Sequence, residues 1–461
     1  MKNFKFLKVL TALFLIAVTI SPLFANGQKE TENKESLKTI KIFAYQFRND
    51  DNRTQHMADA YMKSHPDVKI EIEEYPWDSY FQNLEVRFNA ENPDFDVVIM
   101  DIPMIANYAE RGFLKDLSQY IPKSTFEDKI AQKSLADVIY KNQIVAAPMQ
   151  NSDQYLFINT DMAKAAGVTL PSVVVDNNTN ITSDFAKKWG DSAWTWEQTV
   201  AAAKKMTKDL DNDGITDVYG LHIEQAGRLY QLQPLGGSRG GSIVAPDGMT
   251  VKGYLDQKPW YEAIQFYSDL FNKDKVEVPG SFIPGYDAPK EFVNGSFAMM
   301  VGGGWNIKMI MENPNINVAI AAHPYFKDGI ATTPTGSWVI GASASVPDEK
   351  MGLVSDFLSW WTLTDEGSEL WYDTNGELPA SKYMLNKLST NEKYSQFPRS
   401  AQRLGVYQVM NTAQGRPVTP FYPFINEGFD KAFTNAAQGV DPTKALDDAI
   451  NEIEKNIQRV K

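Results

Sequence analysis

Two stretches near the start of the chain alternate with a period of two. Ile40, Ile42 and Ala44 recur at every second position, and Val68, Ile70 and Ile72 alternate with Lys69, Glu71 and Glu73. That is the period of a half-buried strand. Asp96 to Met100 is a short apolar run that reads as a third strand. Between the first two, Met57, Ala60 and Tyr61 fall at helical spacing, and between the second and third, Tyr80, Leu84 and Phe88 do the same. The order β-α-β-α-β predicts a parallel sheet with crossover helices. Ligands in such sheets sit beyond the carboxyl ends of the strands, which points to Tyr45-Gln46-Phe47 and to Asp101.

Further strands are expected at Ile144–Pro148, Tyr155–Ile158, Phe297–Val301, Val318–Ala321 and Val339–Ala342. The first of these ends in the polar group Gln150-Asn151-Ser152-Asp153, and the helix after the second closes at Gly167. Thr195-Trp-Glu-Gln198 has the form of a capping box opening a helix through Met206: the Thr hydroxyl accepts one free N–H while the Gln reaches back to another. Residues 236–258, rich in Gly with Ser and Asp, read as loop, and Trp260–Phe271 as helix. Beyond Pro347 the pattern is helical to the end of the chain. There Asp441 as N-cap and Pro442 at the first position introduce an apolar face of Leu446, Ile450, Ile453, Ile457 and Val460. No internal repeat is visible. Alternating strand-rich and helix-rich blocks suggest two α/β lobes built from non-contiguous segments, with a small-molecule cleft at their join. The expected division is residues 39–148 plus 301–346 for an N-terminal lobe and 149–300 plus 347–461 for a C-terminal lobe.

Charge and processing signals narrow the setting. Lys2, Lys5 and Lys8 precede an apolar run from Val9 to Ile20, followed by Pro22 and the small residues of Ala25-Asn-Gly27. This is the three-part pattern of a secretory signal over residues 1–27, too short to span a membrane. Residues 28–38 read as a disordered polar leader. The chain has no cysteine. Stability outside the cytoplasm must therefore come from burial rather than disulfides, and no cysteine is present to carry a lipid tether. A soluble periplasmic protein is the expectation. The net charge of −13, with no dense Lys/Arg run, makes nucleic acid and anionic membranes poor partners.

The residues that could do chemistry point to binding rather than turnover. The four histidines, His56, His65, His222 and His323, are far apart and lack metal-motif spacing. No G-x-S-x-G occurs, and Gly302-Gly-Gly-Trp305 lacks the Lys-Ser/Thr of a phosphate loop. A pair of carboxylates for glycoside hydrolysis remains open, because sequence does not give their separation. Asp209, Asp211, Asp213 and Asp217, with Gly214 at the sixth position, match the start of a calcium loop. Gly220 stands where the closing bidentate Glu would be. A structural calcium ion and a metal-free acidic turn are the two readings of this segment, and no other cofactor is expected. Trp77, Trp305, Trp338 and Trp371 adjoin turn residues, where a ring can either line a cleft or pack in the core.

The ordered segments Tyr75-Pro-Trp77-Asp-Ser-Tyr80, Pro93 through Asp101, Ala109 through Leu117, Phe157-Ile-Asn159-Thr-Asp161, Trp194-Thr-Trp196, Phe292 through Trp305 and Thr364-Asp-Glu-Gly367 resemble extracellular solute-binding proteins of family 1. These are the sugar-binding components of ABC importers, the group that includes maltose-binding proteins. The resemblance spans almost the whole chain after residue 39. It implies a two-lobed α/β fold, the type II periplasmic binding protein fold, whose lobes close about a multi-stranded hinge, and a monomer that docks on a membrane permease. It implies a carbohydrate ligand held by Tyr45, Gln46, Trp77, Asp101, Asp153, Trp305, Ser337 and Trp338. A glycerol-phosphate ester is the alternative solute, and Arg48, Arg239, Arg403 and Arg416 are its candidate anion contacts. A secreted glycoside hydrolase is the remaining rival.

Overall fold

The computed structural model describes residues 37–47, 52–176, 179–283, 285–311, 313–396 and 399–461. The signal segment, most of the leader and Arg48 lie outside the described residues. The strands that organise the fold are β1 (Lys38–Tyr45), β2 (Val68–Tyr75), β3 (Val97–Asp101), β4 (Ala147–Pro148), β5 (Gln154–Asn159), β6 (His222–Ile223), β7 (Met299–Gly303), β8 (Val318–Ala322), β9 (Thr333–Pro334), β10 (Trp338–Ala342) and β11 (Ala413–Gln414).

One sheet has the order β2-β1-β3-β10-β4. Its first three strands are parallel, as the β-α-β-α-β pattern predicts, with crossover helices at Arg53–Ser64 and Trp77–Phe88. β10 returns antiparallel to β3, pairing Trp338 with Asp101, and β4 pairs antiparallel with β10. The second sheet has the order β8-β5-β7-β6. Its central strand β5 is buried on both faces, so successive residues enter different cores. Leu156 and Ile158 pack on one side with Trp196, Trp260 and Phe429, while Tyr155 and Phe157 pack on the other with Trp189 and Phe292. A short pair, β9 with β11, lies beside the segment that leads into β10.

The cores divide the chain differently from the expected boundaries. β7 and β8 belong to the second sheet, because β7 pairs with β5 from Gln154↔Gly303 to Ile158↔Met299. Helix Asp348–Leu363 belongs to the first lobe instead, since Met351, Val354, Phe357, Leu358 and Trp361 pack with Ile99, Ala147 and Ile340. The strand expected at Phe297–Val301 runs two residues later, and the one expected at Ile144–Pro148 is broken, with only Ala147–Pro148 joining the sheet.

Local signals elsewhere match their elements. Both bonds of the Thr195–Gln198 capping box form, at 3.2 and 2.8 Å. Asp441 caps the final helix, Pro442–Val460, by accepting the Lys444 N–H at 2.8 Å. Leu446, Ile450, Ile453 and Ile457 are buried there, each burial contributing about 1.5–3 kcal/mol. Val460, the last residue of the expected stripe, is exposed. The helix packs on Tyr422–Ala437 at Gly428, where a Cβ would lie only 2.6 Å from Ile453. Glycine there sets the close approach of the two helices.

Candidate functional site

The first sheet collects side chains at one end. β1, β2 and β3 are parallel, so Tyr45, Tyr75 and Asp101 all stand at carboxyl ends, and antiparallel β10 begins at that same end with Trp338. Trp77 opens the helix two residues after β2. Tyr45 and Trp338 stack with ring centroids 4.2 Å apart and planes 4° from parallel, and Trp77 meets Tyr45 edge-on at 5.8 Å. Phe47 closes the group against Trp338 at 5.3 Å. Tyr45 and Trp338 are half-buried, whereas Trp77 is 37% exposed. Gln46 is half-buried beside them, its N–H donating to Tyr75 O at 2.9 Å.

Trp371 lies behind this surface, edge-on to Phe47 at 5.5 Å. It is 2% exposed, packs on Trp361 at 5.2 Å and donates its indole N–H to Gln150 Oε1 at 3.0 Å. Its helix lies against the first-lobe core, so of the two places open to a turn-flanking ring Trp371 takes the core.

The second sheet presents a matching end. β5 runs antiparallel to β7 and β6 parallel to it, so the residues before β5 and after β6 and β7 converge. These are Asp153, Glu224 and Trp305. Glu224 is buried and accepts from Gly303 N at 2.8 Å, Asn306 Nδ2 at 2.9 Å and Trp305 Nε1 at 3.1 Å. Burial raises its carboxyl above the usual range, and these three donors oppose the rise. The indole of Trp305 is thereby held in one orientation, with Tyr230 6.1 Å away.

Several contacts join the two ends. Arg416 makes a bidentate ion pair with Asp101, one bond measuring 2.8 Å, and its guanidinium lies 5.1 Å over the Tyr230 ring. The Tyr230 hydroxyl meets Ser152 Oγ at 2.7 Å, and Ser152 donates to Gly336 O. Arg228 of the second lobe lies 5.3 Å over the Trp77 ring of the first. Of the expected site residues, Tyr45, Gln46, Trp77, Asp101 and Trp338 gather on one side and Trp305 on the other. Ser337 sits beside Trp338, with its carbonyl accepting from Ile102 N at 2.9 Å. Its hydroxyl is buried and has no hydrogen-bond partner among the described residues.

Asp153 lies behind this wall. It is 3% exposed, accepts from the Tyr155 hydroxyl and is hemmed in by Gly304 and Gly405, where a Cβ would collide with its carboxylate. Burial pushes its carboxyl up to about 7, the Tyr155 bond opposes this, and the charge of Glu377 adds to it. The folded state therefore holds a proton that the unfolded chain releases near pH 4, so this group's contribution to stability falls as pH rises from 4 to 7, by at most about 4 kcal/mol. Asp137 and Asp430 are pushed by burial to about 7 as well and act in the same direction. Asp153→Asn should flatten part of that slope. Urea midpoints measured from pH 4 to 8 check it, and an unchanged slope would exclude the assignment.

The remaining expected groups lie elsewhere. Asp209, Asp211 and Asp217 each bring one oxygen within 4.8 Å of the others on an exposed turn. Asp213 is not among them, its carboxylate taking the Ile215 N–H at 2.7 Å. Arg239 pairs with Asp328 at 3.1 Å on the outside of the second lobe. Arg403 is buried, donating to the carbonyls of Leu388 at 2.8 Å and Asn391 at 2.9 Å. Sequence reasoning missed Glu224, Arg228 and Tyr230. Glu224 follows a two-residue strand too short to show a period, and Arg228 and Tyr230 open a helix, Leu229–Gly237, with Pro234 inside it.

Residues 56–398 match the family model for bacterial extracellular solute-binding proteins. This chain belongs to that family. Among relatives of the solute-binding protein, a Brucella abortus protein assigned as a binding protein is 22% identical over 343 residues, 72% of this chain and 75% of that one. A Streptomyces antibioticus uncharacterized lipoprotein is 27% identical over 156 residues, and the match spans 30% of that protein's length. Two solved structures share the two-lobed fold. The Listeria monocytogenes ABC substrate-binding protein Lmo0181, in complex with cycloalternan, superposes with a TM-score of 0.74 at 20% identity, covering 92% of this chain and 99% of that one. An ABC transporter solute-binding protein of Thermotoga lettingae bound with α-D-tagatose gives 0.71 at 19% identity, covering 91% and 100%. Among the described residues of the solute-binding protein, no helix is long and apolar enough to cross a membrane.

Proposed function

We propose that this chain is the monomeric, periplasmic capture component of an ABC importer, enclosing a carbohydrate between its lobes and delivering it to a membrane permease. The observation that carries this reading is an aromatic platform, Tyr45, Trp77 and Trp338, at one sheet end, joined through Arg416 and Tyr230 to the other sheet end, which carries the indole of Trp305. Indole and phenol rings stack on the C–H faces of pyranoses, while side-chain and backbone polar groups take the hydroxyls. Ser337 Oγ, buried and without a partner among the described residues, is one such group. Ligand that touches both ends binds the closed form better, and only that differential affinity drives closure. The related structures captured with cycloalternan and tagatose support the same solute class.

Capture without turnover accords with the state of the carboxylates. Asp101 is engaged by Arg416, Glu224 by three donors and Asp153 by Tyr155, whereas hydrolysis needs two carboxyl groups facing the same bond. The expected result of a thermal-shift screen is that some mono- or oligosaccharide raises the melting temperature in proportion to RT ln(1 + [L]/Kd), with calorimetry giving one site per chain. If no carbohydrate does so, the sugar reading fails. The same proposal places a calcium ion at Asp209, Asp211 and Asp217, with carboxylate oxygens as its ligands. Added calcium should then raise the melting temperature, and Asp209→Asn with Asp211→Asn should abolish the rise. No rise in the parent chain leaves the segment a metal-free turn.

A further inference from the structure

The charges around the cleft are almost all consumed within the protein. Asp101 and Arg416 neutralise each other, and Glu224 is held by three donors. Arg228 is the exception. Among the described residues no carboxylate lies within 4.0 Å of it. The acid nearest it in electrostatic effect, Asp430, is half-buried and engaged elsewhere, with its oxygens accepting from Leu229 N at 3.0 Å and Asn426 Nδ2 at 3.3 Å. Arg228 is half-buried, and its guanidinium rests over Trp77, the most open ring of the platform. It is also the N-cap of helix Leu229–Gly237, whose dipole adds partial positive charge at the same point. In a chain of net charge −13, a lone cation set over the aromatic platform has no general electrostatic purpose.

We propose that the cleft selects a carbohydrate carrying a carboxylate, such as a uronic acid unit, with Arg228 as the residue that reads it. This rests on the carbohydrate reading above and sharpens it. A pyranose stacked on Trp77 carries its ring substituents into the space beside the guanidinium, and a carboxylate there can accept two parallel N–H bonds from the planar fork. A phosphate ester fits less well. A dianion would call for several unpaired cations, whereas Arg239 and Arg403 are placed elsewhere and Arg416 is committed to Asp101.

The test is calorimetry on the intact chain with matched probes: glucuronate beside glucose, and digalacturonate beside galactobiose. The acidic member of at least one pair should bind about 10- to 100-fold tighter than its neutral partner, the range expected of hydrogen bonds to a charged group. Arg228→Gln should erase that preference, bringing the acidic probe to within about 2-fold of its neutral partner measured on the same variant, and Arg228→Lys should restore only part of it. Equal or tighter binding of the neutral sugars overturns the proposal and leaves carbohydrate capture standing. An acidic preference that survives in Arg228→Gln overturns the role of Arg228. If none of the four probes binds and neutral oligosaccharides also fail in the screen above, the carbohydrate reading falls and takes this proposal with it.

Discussion

Arg416→Met lowers the free energy of unfolding by about 3–5 kcal/mol, the cost of leaving a buried carboxylate without its counter-charge. Asp101 is 9% exposed, and the bidentate pair with Arg416 supplies its side-chain hydrogen bonds. Replacing both partners, Asp101→Asn with Arg416→Met, removes the uncompensated charge and should recover most of the loss, because desolvating a buried pair offsets much of what the pair gains. Urea denaturation of the two single variants and the double variant measures this as a coupling energy. A single-variant loss below about 1 kcal/mol would mean that solvent reaches the pair and screens it as it does at a surface. A large coupling gives Asp101 a task other than the one its sheet-end position suggests: it ties the first lobe to the segment beyond β11 rather than offering a free carboxylate to ligand.

Trp77→Ala has its large effect on binding instead. The ring is 37% exposed and meets Tyr45 and Phe81 only edge-on, at 5.8 and 5.0 Å. Its removal should change the melting temperature little. A platform ring that stacks on a sugar behaves as a hot spot, so affinity should fall about 30-fold, or about 2 kcal/mol. Calorimetry with whichever saccharide the thermal screen identifies gives the number. Unchanged affinity would remove Trp77 from the ligand surface. Trp338→Ala is a less clean probe, because Trp338 is half-buried and lies flat on Tyr45, so fold and binding would suffer together.

Residues near one another in sequence, or at strand ends, are the ones whose place the sequence reveals. The meeting of Tyr45 and Asp101 at one sheet end was legible because strand periodicity located the strand ends, and a parallel sheet puts those ends together; Trp77 and Trp338 were named from turn-flanking positions and from the family resemblance. The capping box at Thr195 and the cap at Asp441 were legible because both are local. What escaped depends on pairings far apart in sequence. β5 and β7 meet across more than a hundred residues, and nothing in either strand names its partner, so the lobe boundaries at 301 and 347 were misplaced. Arg416 stands in an irregular segment with no period, and its position is set only once β11 has paired with β9. Glu224 and Arg228 follow very short elements for the same reason. Trp371 takes the core alternative left open for it, because the helix carrying it packs inward.

The position of the Asp101–Arg416 tie has a mechanical consequence. Arg416 comes two residues after β11, whose partner β9 leads within a few residues into β10. A fastening so near the pivot has a short lever arm: it stiffens the joint yet exerts little torque on the far rims of the lobes. Trp77 and Arg228 join the same two lobes by a softer contact, a cation over a ring rather than an ion pair, which gives way where the fastening does not.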